Sequence, residues 1–165
     1  SRFTGKKAIN QALKLIDEGA DILDIGAESS RPGANYISDI EELKVLLPLV
    51  RQIRKFSNIP ISIDTRKLTV MKACFEEGAD ILNDISALED DEKLPYFHAK
   101  SKIPVILMHK KGNPQNMQIN PEYEDIVKEV SDYLTKRCQF AISKGISPEK
   151  LILDAGIGFG KNRRL

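Results

Sequence analysis

The sequence contains little cysteine and almost no net charge. Its two cysteines, Cys74 and Cys138, lack the CxxC spacing of common metal and redox sites, and both lie among apolar residues in helical patterns. We therefore expect buried free thiols in a reducing cytoplasm. The 25 lysines and arginines nearly balance the 24 aspartates and glutamates, so the formal charge is +1. No overall field favours nucleic acid or an anionic membrane as a partner, and recognition must be local.

Long hydrophobic runs are also missing. No stretch approaches the ~18 to 20 apolar residues of a membrane span, and the opening residues, SRFTGKK, lack the hydrophobic part of a signal peptide. We therefore expect a cytoplasmic protein without a membrane partner. The 165 residues are 41% hydrophobic and 30% charged, which is typical of one soluble globular domain over 1–165. The absence of an initial methionine, and of a terminating pattern at Leu165, suggests a processed or truncated polypeptide.

Short apolar runs of strand type alternate with longer stretches of helical period, which is typical of parallel βαβ units and indicates an α/β fold. The strands lack polar alternation, as expected when both faces are covered. They are predicted at 22–26, 61–64, 81–85, 105–109 and 151–154. Helices are predicted at 6–18, 38–56 and 68–77, the second bent or divided by Pro48. The clearest helix begins at Asn120–Pro121, as N-cap and first-turn proline, and ends at Lys144–Gly145.

The motif EGADIL occurs twice, at 18–23 and at 77–82, where a predicted helix gives way to a strand. Its glycine suits a left-handed helix C-terminus, and the apolar pair that follows enters the sheet. The repeat is interpreted as structural.

Polar residues follow several predicted strands at their carboxyl ends. They are Asp24, Asp64, the pair Asn83–Asp84, and Asp154. Ligands of parallel α/β folds bind at this rim, because the strands hold side chains rigidly while the loops vary. The alternative is that each acid merely caps the helix or turn that follows it.

A planar heterocycle with an amino-amide edge would suit such a rim. An ionised carboxylate such as that of Asp154 accepts two adjacent N–H groups, and the Asn83 amide both donates and accepts. Apolar side chains at the strand ends would cover the ring faces, unless they are ordinary core: Ile85, Ile106, Met108 and Phe159.

Two glycine-containing stretches complete the rim. GIGFGK at 156–161 would let backbone N–H groups approach a ligand, although it matches neither the Walker spacing nor a complete GxGxxG. SSRPGA at 29–34 is interpreted either as a stiff loop that offers the Arg31 guanidinium or as a surface turn.

Together these motifs resemble those of the dihydropteroate synthase family. DIGAESSRPGA at 24–34 is similar to the family's DIGGESTRPGA, and LILDAGIGFGK at 151–161 to its ILDPGIGFGK. ISIDT, ILNDIS and MHKKGNPQNMQ follow the family's order between them. The resemblance implies a (β/α)8 TIM-barrel fold with parallel strands, of which strands 2 to 6 are present here. A domain lacking the first strand and the last two βα units is therefore expected.

The resemblance also implies the reaction: p-aminobenzoate joins 6-hydroxymethyl-7,8-dihydropterin diphosphate, releasing diphosphate and forming dihydropteroate for folate synthesis. Magnesium accompanies the diphosphate, and a homodimer is left open. By the same resemblance, Asp24, Asp64 and Asp154 are catalytic: Asp64 and Asp154 stabilise positive charge on the pterin once diphosphate leaves, and Asp24 supports the site. The implied substrate-binding residues are Ser30, Arg31, Pro32, Asp64, Asn83, Ile85, Ile106, Met108, Asp154, Gly158, Phe159 and Lys161.

The sequence departs from the family pattern at Ala27, Ser30 and Ala155, and Ala155 loses the fixed backbone angle of a proline beside Asp154. The family's magnesium-placing asparagine would lie upstream of Ser1, and its later lysine, arginine and histidine beyond Leu165. No metal ligand is therefore assigned within the chain, and the 165-residue polypeptide alone is expected to lack synthase activity. The alternatives are a methyltetrahydrofolate-dependent methyltransferase, a noncatalytic pterin-binding module and a purely structural barrel fragment.

Overall fold

The computed structural model describes residues 5–28, 37–110, 123–157, 159 and 161. Within them, helices and strands alternate along the chain. The order is α1 (Lys6–Asp17), β1 (Leu23–Gly26), α2 (Asp39–Phe56), β2 (Ile61–Asp64), α3 (Leu68–Glu76), β3 (Ile81–Asp84), α4 (Leu94–Ser101), β4 (Val105–Met108), α5 (Ile126–Ser143), a 3₁₀ turn (Pro148–Lys150) and β5 (Leu151–Asp154).

The five strands form one parallel sheet in the order β1-β2-β3-β4-β5. Each strand therefore lies beside its predecessor, without the reversal of order that divides a doubly wound sheet. Sequential parallel strands joined by helices are the construction of a (β/α)8 barrel wall, which confirms the predicted fold class. Because all strands run the same way, their carboxyl ends lie along one edge.

The core lies between the sheet and the covering helices. Leu46, Val50 and Ile53 of α2 are buried, as are Val70 and Met71 of α3, against strand residues that are also buried. All but the last residue of β2 are buried, which explains its lack of polar alternation. β5 differs, because its Ile152 and Leu153 are 41% and 51% exposed.

The ends of α1 and α3 confirm the structural interpretation of EGADIL. Gly19 and Gly78 follow these helices with φ of +92° and +103°, a left-handed conformation that strains other residues. At the start of α2, Ser38 and Glu41 form a reciprocal capping box. Pro48 lies inside α2 without dividing it.

Some boundaries differ from the sequence prediction. The start of α5 was predicted wrongly: Tyr123 to Asp125 are not helical, and the Asp125 side chain caps α5 by accepting a hydrogen bond from Lys128 N at 3.0 Å. Asn120 and Pro121 lie outside the described residues. Helix α4 was not predicted, since its eight residues are too short for a clear period. Cys74 is buried as expected, whereas Cys138 is only partly buried.

Candidate active site

Three predicted site residues meet on neighbouring strands. Asp64 pairs in register with Gly26 on one side and Asn83 on the other, and Asp24 precedes Gly26 by two residues. Residues two apart in a strand share a face, so Asp24, Asp64 and Asn83 project from the same side of the sheet. The Asn83 Nδ2 donates to both carboxylate oxygens of Asp24 at 3.2 Å, bridging β3 and β1 across β2. The predicted convergence of these side chains is therefore present.

The Asp64 carboxyl has an unusual protonation equilibrium. Burial, and then the negative charge of Asp24, raise the pKa of Asp64 to about 7, with smaller contributions from Glu42, Asp84 and Glu28. Asp64 is therefore partly protonated near neutral pH. A ligand that presents N–H donors favours its ionised form, since a carboxylate accepts hydrogen bonds with both oxygens.

Two buried polar atoms beside Asp64 have no hydrogen-bond partner within the described part of the chain. They are the Asn83 Oδ1 and the Ser62 Oγ, and Ser62 lies on the same strand face as Asp64. Unpartnered buried polar atoms are rare in folded proteins and are typical of sites completed by a ligand or by water.

Asp154 ends β5 opposite Met108 of β4. Its Oδ1 accepts a hydrogen bond from Gly156 N at 2.7 Å, and its backbone carbonyl accepts one from His109 N at 2.9 Å. One carboxylate oxygen therefore holds the following turn even though Ala155 stands where the family has proline. The capping alternative holds in part for Asp154.

Asp84 ends β3, but its side chain does not join those of Asp24, Asp64 and Asn83, so the prediction that it faces the site was wrong. Its side chain points to the opposite face from that of its neighbour Asn83 and is completely buried. The carboxylate accepts hydrogen bonds from Ser86 N, Ser86 Oγ and Leu88 N at 2.6 to 2.8 Å. It thereby stabilises a turn in which Ala87 and Leu88 have positive φ. For Asp84, the alternative that the acid caps the turn that follows it is therefore confirmed.

The predicted apolar residues flank the polar cluster. Ile106 pairs with Asn83, and Met108, on the same face of β4, pairs with Asp154. Met108 is buried, while Ile106, Ile85 and Phe159 are partly buried. Their role as ring contacts stays a prediction. Four further predicted residues or positions, Ser30, Arg31, Pro32 and Gly158, lie outside the described residues.

Lys161 was predicted to bind substrate, but its ammonium contacts the protein instead. The Nζ lies 2.7 to 3.2 Å from four acceptors: the carbonyls of Gly156, Phe159 and His109, and the His109 Nδ1. An ammonium has three donors, so these contacts engage all of them. The contact of Lys161 with substrate stays a prediction.

A charged cluster near the end of β1, formed by Glu28, Glu42 and Lys67, was not predicted from the sequence. Lys67 Nζ donates to Glu42 Oε2 at 2.8 Å, to Glu28 Oε2 at 3.2 Å and to the Ile37 carbonyl at 2.6 Å. The Glu42 side chain is 1% exposed. Lys67 therefore joins the end of β1 to the residues at the start of α2. The only signal in the sequence was a lone acid on the apolar face of α2, Glu42 four residues before Leu46.

Within the described residues, no three histidine, cysteine, aspartate or glutamate side chains lie together as a metal site. The magnesium that the resemblance implies stays a prediction. No helix in the described ranges is long and apolar enough to cross a membrane.

The family model described as "Pterin binding enzyme" matches residues 1–164. The chain belongs to this pterin-binding enzyme family. Among curated relatives, the dihydropteroate synthase of Haemophilus influenzae is 42% identical over 160 residues, 97% of this chain and 58% of that protein. The dihydropteroate synthase of Neisseria meningitidis serogroup C is 44% identical over 155 residues, 93% of this chain and 54% of that protein. This member of the family thus spans about half the length of the curated relatives it matches.

Solved structures agree with this membership of the pterin-binding enzymes. The Yersinia pestis dihydropteroate synthase, solved with a sulfonamide drug complex, superposes with a TM-score of 0.90 at 36% identity, covering 94% of this chain and 56% of that one. The Xanthomonas albilineans dihydropteroate synthase with 4-aminobenzoic acid gives a TM-score of 0.86 at 38% identity, covering 93% and 54%. The same synthase in complex with 7,8-dihydropteroate gives 0.81 at 35% identity, covering 93% and 54%.

Proposed function

We propose that this pterin-binding chain belongs to a dihydropteroate synthase that joins p-aminobenzoate to 6-hydroxymethyl-7,8-dihydropterin diphosphate in folate synthesis. The observation that carries the proposal is the convergence of Asp24, Asp64 and Asn83 from three adjacent strands, with Asp154 at the end of β5 on the same sheet edge. The identity to curated synthases supports it, as do the solved synthases that contain 4-aminobenzoic acid and 7,8-dihydropteroate.

The polar groups match the hydrogen-bonding edge of a pterin. That edge presents adjacent N–H donors beside ring acceptors, which suits a carboxylate paired with an amide. Asp64 accepts from the donors once it is ionised, and Asn83 is fixed by its bonds to Asp24. Ile106 and Met108 then offer apolar contacts to the ring face.

In the proposed reaction, the bond between the pterin methylene and the diphosphate oxygen breaks, and the electron pair leaves with diphosphate. The p-aminobenzoate nitrogen then forms the new C–N bond and releases a proton. The intermediate methylene is cationic, so fixed negative charges on Asp64 and Asp154 stabilise it more than the neutral reactant. The acids act electrostatically and not as nucleophiles.

Three finer points belong to the same proposal. Magnesium would neutralise charge on the bound diphosphate, although no step above depends on it. The protein would act in the cytoplasm. A homodimer is compatible with the proposal.

The test uses the protein expressed from its whole reading frame, so that any flanking sequence is included. Calorimetric titration with 7,8-dihydropterin should give saturable binding, and turnover should require p-aminobenzoate. Asn83→Leu should weaken pterin binding at least tenfold, because it removes both the donor and the acceptor. The exposed Asp17→Asn serves as the control. Transfer of a methyl group to a corrinoid partner without need of p-aminobenzoate would assign the methyltransferase reaction instead, and pterin binding without turnover a noncatalytic module.

A further inference from the structure

The contacts of Lys161 form a clasp between two loops of the candidate site. One loop follows β4 and begins with His109, and the other follows β5 and contains Gly156 and Phe159. Lys161 Nζ donates to the Gly156 carbonyl at 2.7 Å and to the Phe159 carbonyl at 3.1 Å. It also lies 3.0 Å from His109 Nδ1 and 3.2 Å from the His109 carbonyl. A single cation therefore joins both loops.

The clasp closes on backbone that is packed too tightly for a side chain. Gly156 has a φ of +60°, and a Cβ at this position would lie 2.0 Å from the His109 carbonyl oxygen. His109 itself is 5% exposed, and its ring meets the Tyr133 ring edge-on at 5.0 Å. The backbone of Gly156 therefore packs directly against that of His109, and Lys161 contacts both residues.

Two of the residues that Lys161 contacts, Gly156 and His109, are hydrogen-bonded to Asp154, and the third, Phe159, is itself a proposed pterin residue. Gly156 N donates to the Asp154 carboxylate at 2.7 Å, and His109 N donates to the Asp154 carbonyl at 2.9 Å. Phe159 N donates to the Gly156 carbonyl at 2.9 Å. Lys161 is thereby connected through hydrogen bonds to Asp154, and directly to Phe159.

We propose that Lys161 is a positioning residue, which fixes the β5 loop on His109 so that Asp154 and Phe159 are arranged for the pterin before it binds. The proposal rests on the proposed function, since it assigns Lys161 a part in the same site. Because an ammonium has only donors, His109 Nδ1 accepts, and the His109 ring proton lies on Nε2.

The main test compares Lys161→Met with the parent protein, expressed from its whole reading frame. Methionine keeps the length of the side chain and removes the donors. The affinity for 7,8-dihydropterin, measured by calorimetry, is expected to fall about tenfold, because binding must then order the loop. The KM for the pterin diphosphate should rise while the KM for p-aminobenzoate stays within about twofold of the parent value. Lys72→Met, at an exposed position of α3, is the matched control and should resemble the parent.

Amide hydrogen exchange gives a second readout that does not need a pterin. In Lys161→Met, the amides of Gly156 and Phe159 should exchange faster, whereas those of β2 should not change. Folded Lys161→Met that binds pterin within twofold of the parent would overturn the proposal, as would unchanged exchange at both amides. If the parent binds no pterin, the proposed function fails, and the exchange result still decides whether the clasp exists.

The unmutated protein provides a test if Lys161→Met does not fold. Burial lowers the pKa of Lys161 to about 8, against the opposing charge of Asp154. His109 contacts Lys161 and Asp154 acts on its charge, and the rings of Tyr123 and Tyr133 both pack on His109. Raising the pH from about 7 to 9.5 should discharge the ammonium and reversibly reduce the protection of the Gly156 and Phe159 amides, after correction for base catalysis. Constant protection over this range would contradict the clasp.

Discussion

Replacing Asp64 by asparagine should remove a pH dependence of stability that the native fold carries. Burial, followed by the charge of Asp24, raises the pKa of Asp64 from 3.8 to about 7 in the folded chain. Between these two values the folded state keeps a proton that the unfolded state has released. The free energy of unfolding therefore falls as the pH rises from about 4 to about 7 and is then constant with respect to this group.

The magnitude follows from the shift of about three pKa units, at about 1.4 kcal/mol for each unit. Asp64 is only partly buried in the absence of a ligand, so solvent screening reduces the effect to about 2 to 4 kcal/mol. Asparagine has nearly the same shape and does not titrate. Asp64→Asn should therefore gain about 2 to 4 kcal/mol relative to the parent between pH 4 and pH 7.

The assay is urea unfolding at half-unit pH steps, monitored by circular dichroism, for the parent, Asp64→Asn and the control Asp17→Asn. Asp17 is exposed on α1, away from the candidate site, so its variant should follow the parent at every pH. Parallel curves for the parent and Asp64→Asn across this range would refute the account of Asp64. In the parent, pterin affinity should also increase as the pH rises towards 7, because the ionised carboxylate is the better acceptor.

Three further predictions concern stability and binding. Lys67→Met leaves the buried Glu42 carboxylate without its cation, so the free energy of unfolding in urea should fall by about 3 to 5 kcal/mol. The control Lys72→Met should lose less than about 1 kcal/mol, and an equally small loss for Lys67→Met would show that the ion pair with Glu42 does not stabilise the fold. Asp84→Ala removes three hydrogen bonds from the turn after β3 and should cost about 2 to 4 kcal/mol, yet the folded variant should bind pterin as the parent does; weaker binding would return Asp84 to the site. Asn83→Asp places another acid beside Asp24, so it should weaken pterin binding about tenfold or more at pH 8 and less at pH 5, as measured by calorimetry; equal affinity at both pH values would contradict the proposed geometry.

The arrangement of strands was predictable because parallel strands covered on both faces give short apolar runs. All five predicted strands agree with the structure to within one residue at one end, and 61–64 and 151–154 match. The repeated EGADIL was equally informative, since the left-handed turns at Gly19 and Gly78 depend on local backbone chemistry. The carboxyl-end rim follows from strand direction alone, which is why Asp24, Asp64 and Asn83 were found.

The remaining errors arise where tertiary contacts decide. Neighbours in a strand point to opposite faces, so the Asn83 side chain lies beside Asp24, whereas the Asp84 side chain stabilises a buried turn. Which of the two faces the site depends on how β3 packs, and the sequence does not show that. Lys161 ends a glycine-rich stretch of the kind that binds ligands. Its contact with the His109 ring could not be predicted, because His109 lies 52 residues earlier in the chain.

The most direct test of the central claim is a crystal structure of the protein, expressed from its whole reading frame, with a bound pterin. One ring system is expected at the carboxyl edge of the sheet, within hydrogen-bonding distance, roughly 2.7 to 3.2 Å, of Asp64, Asn83 and Asp154. Lys161 should remain on His109 and should not touch the ring. A pterin bound elsewhere, or held by only one of these three side chains, would contradict the account.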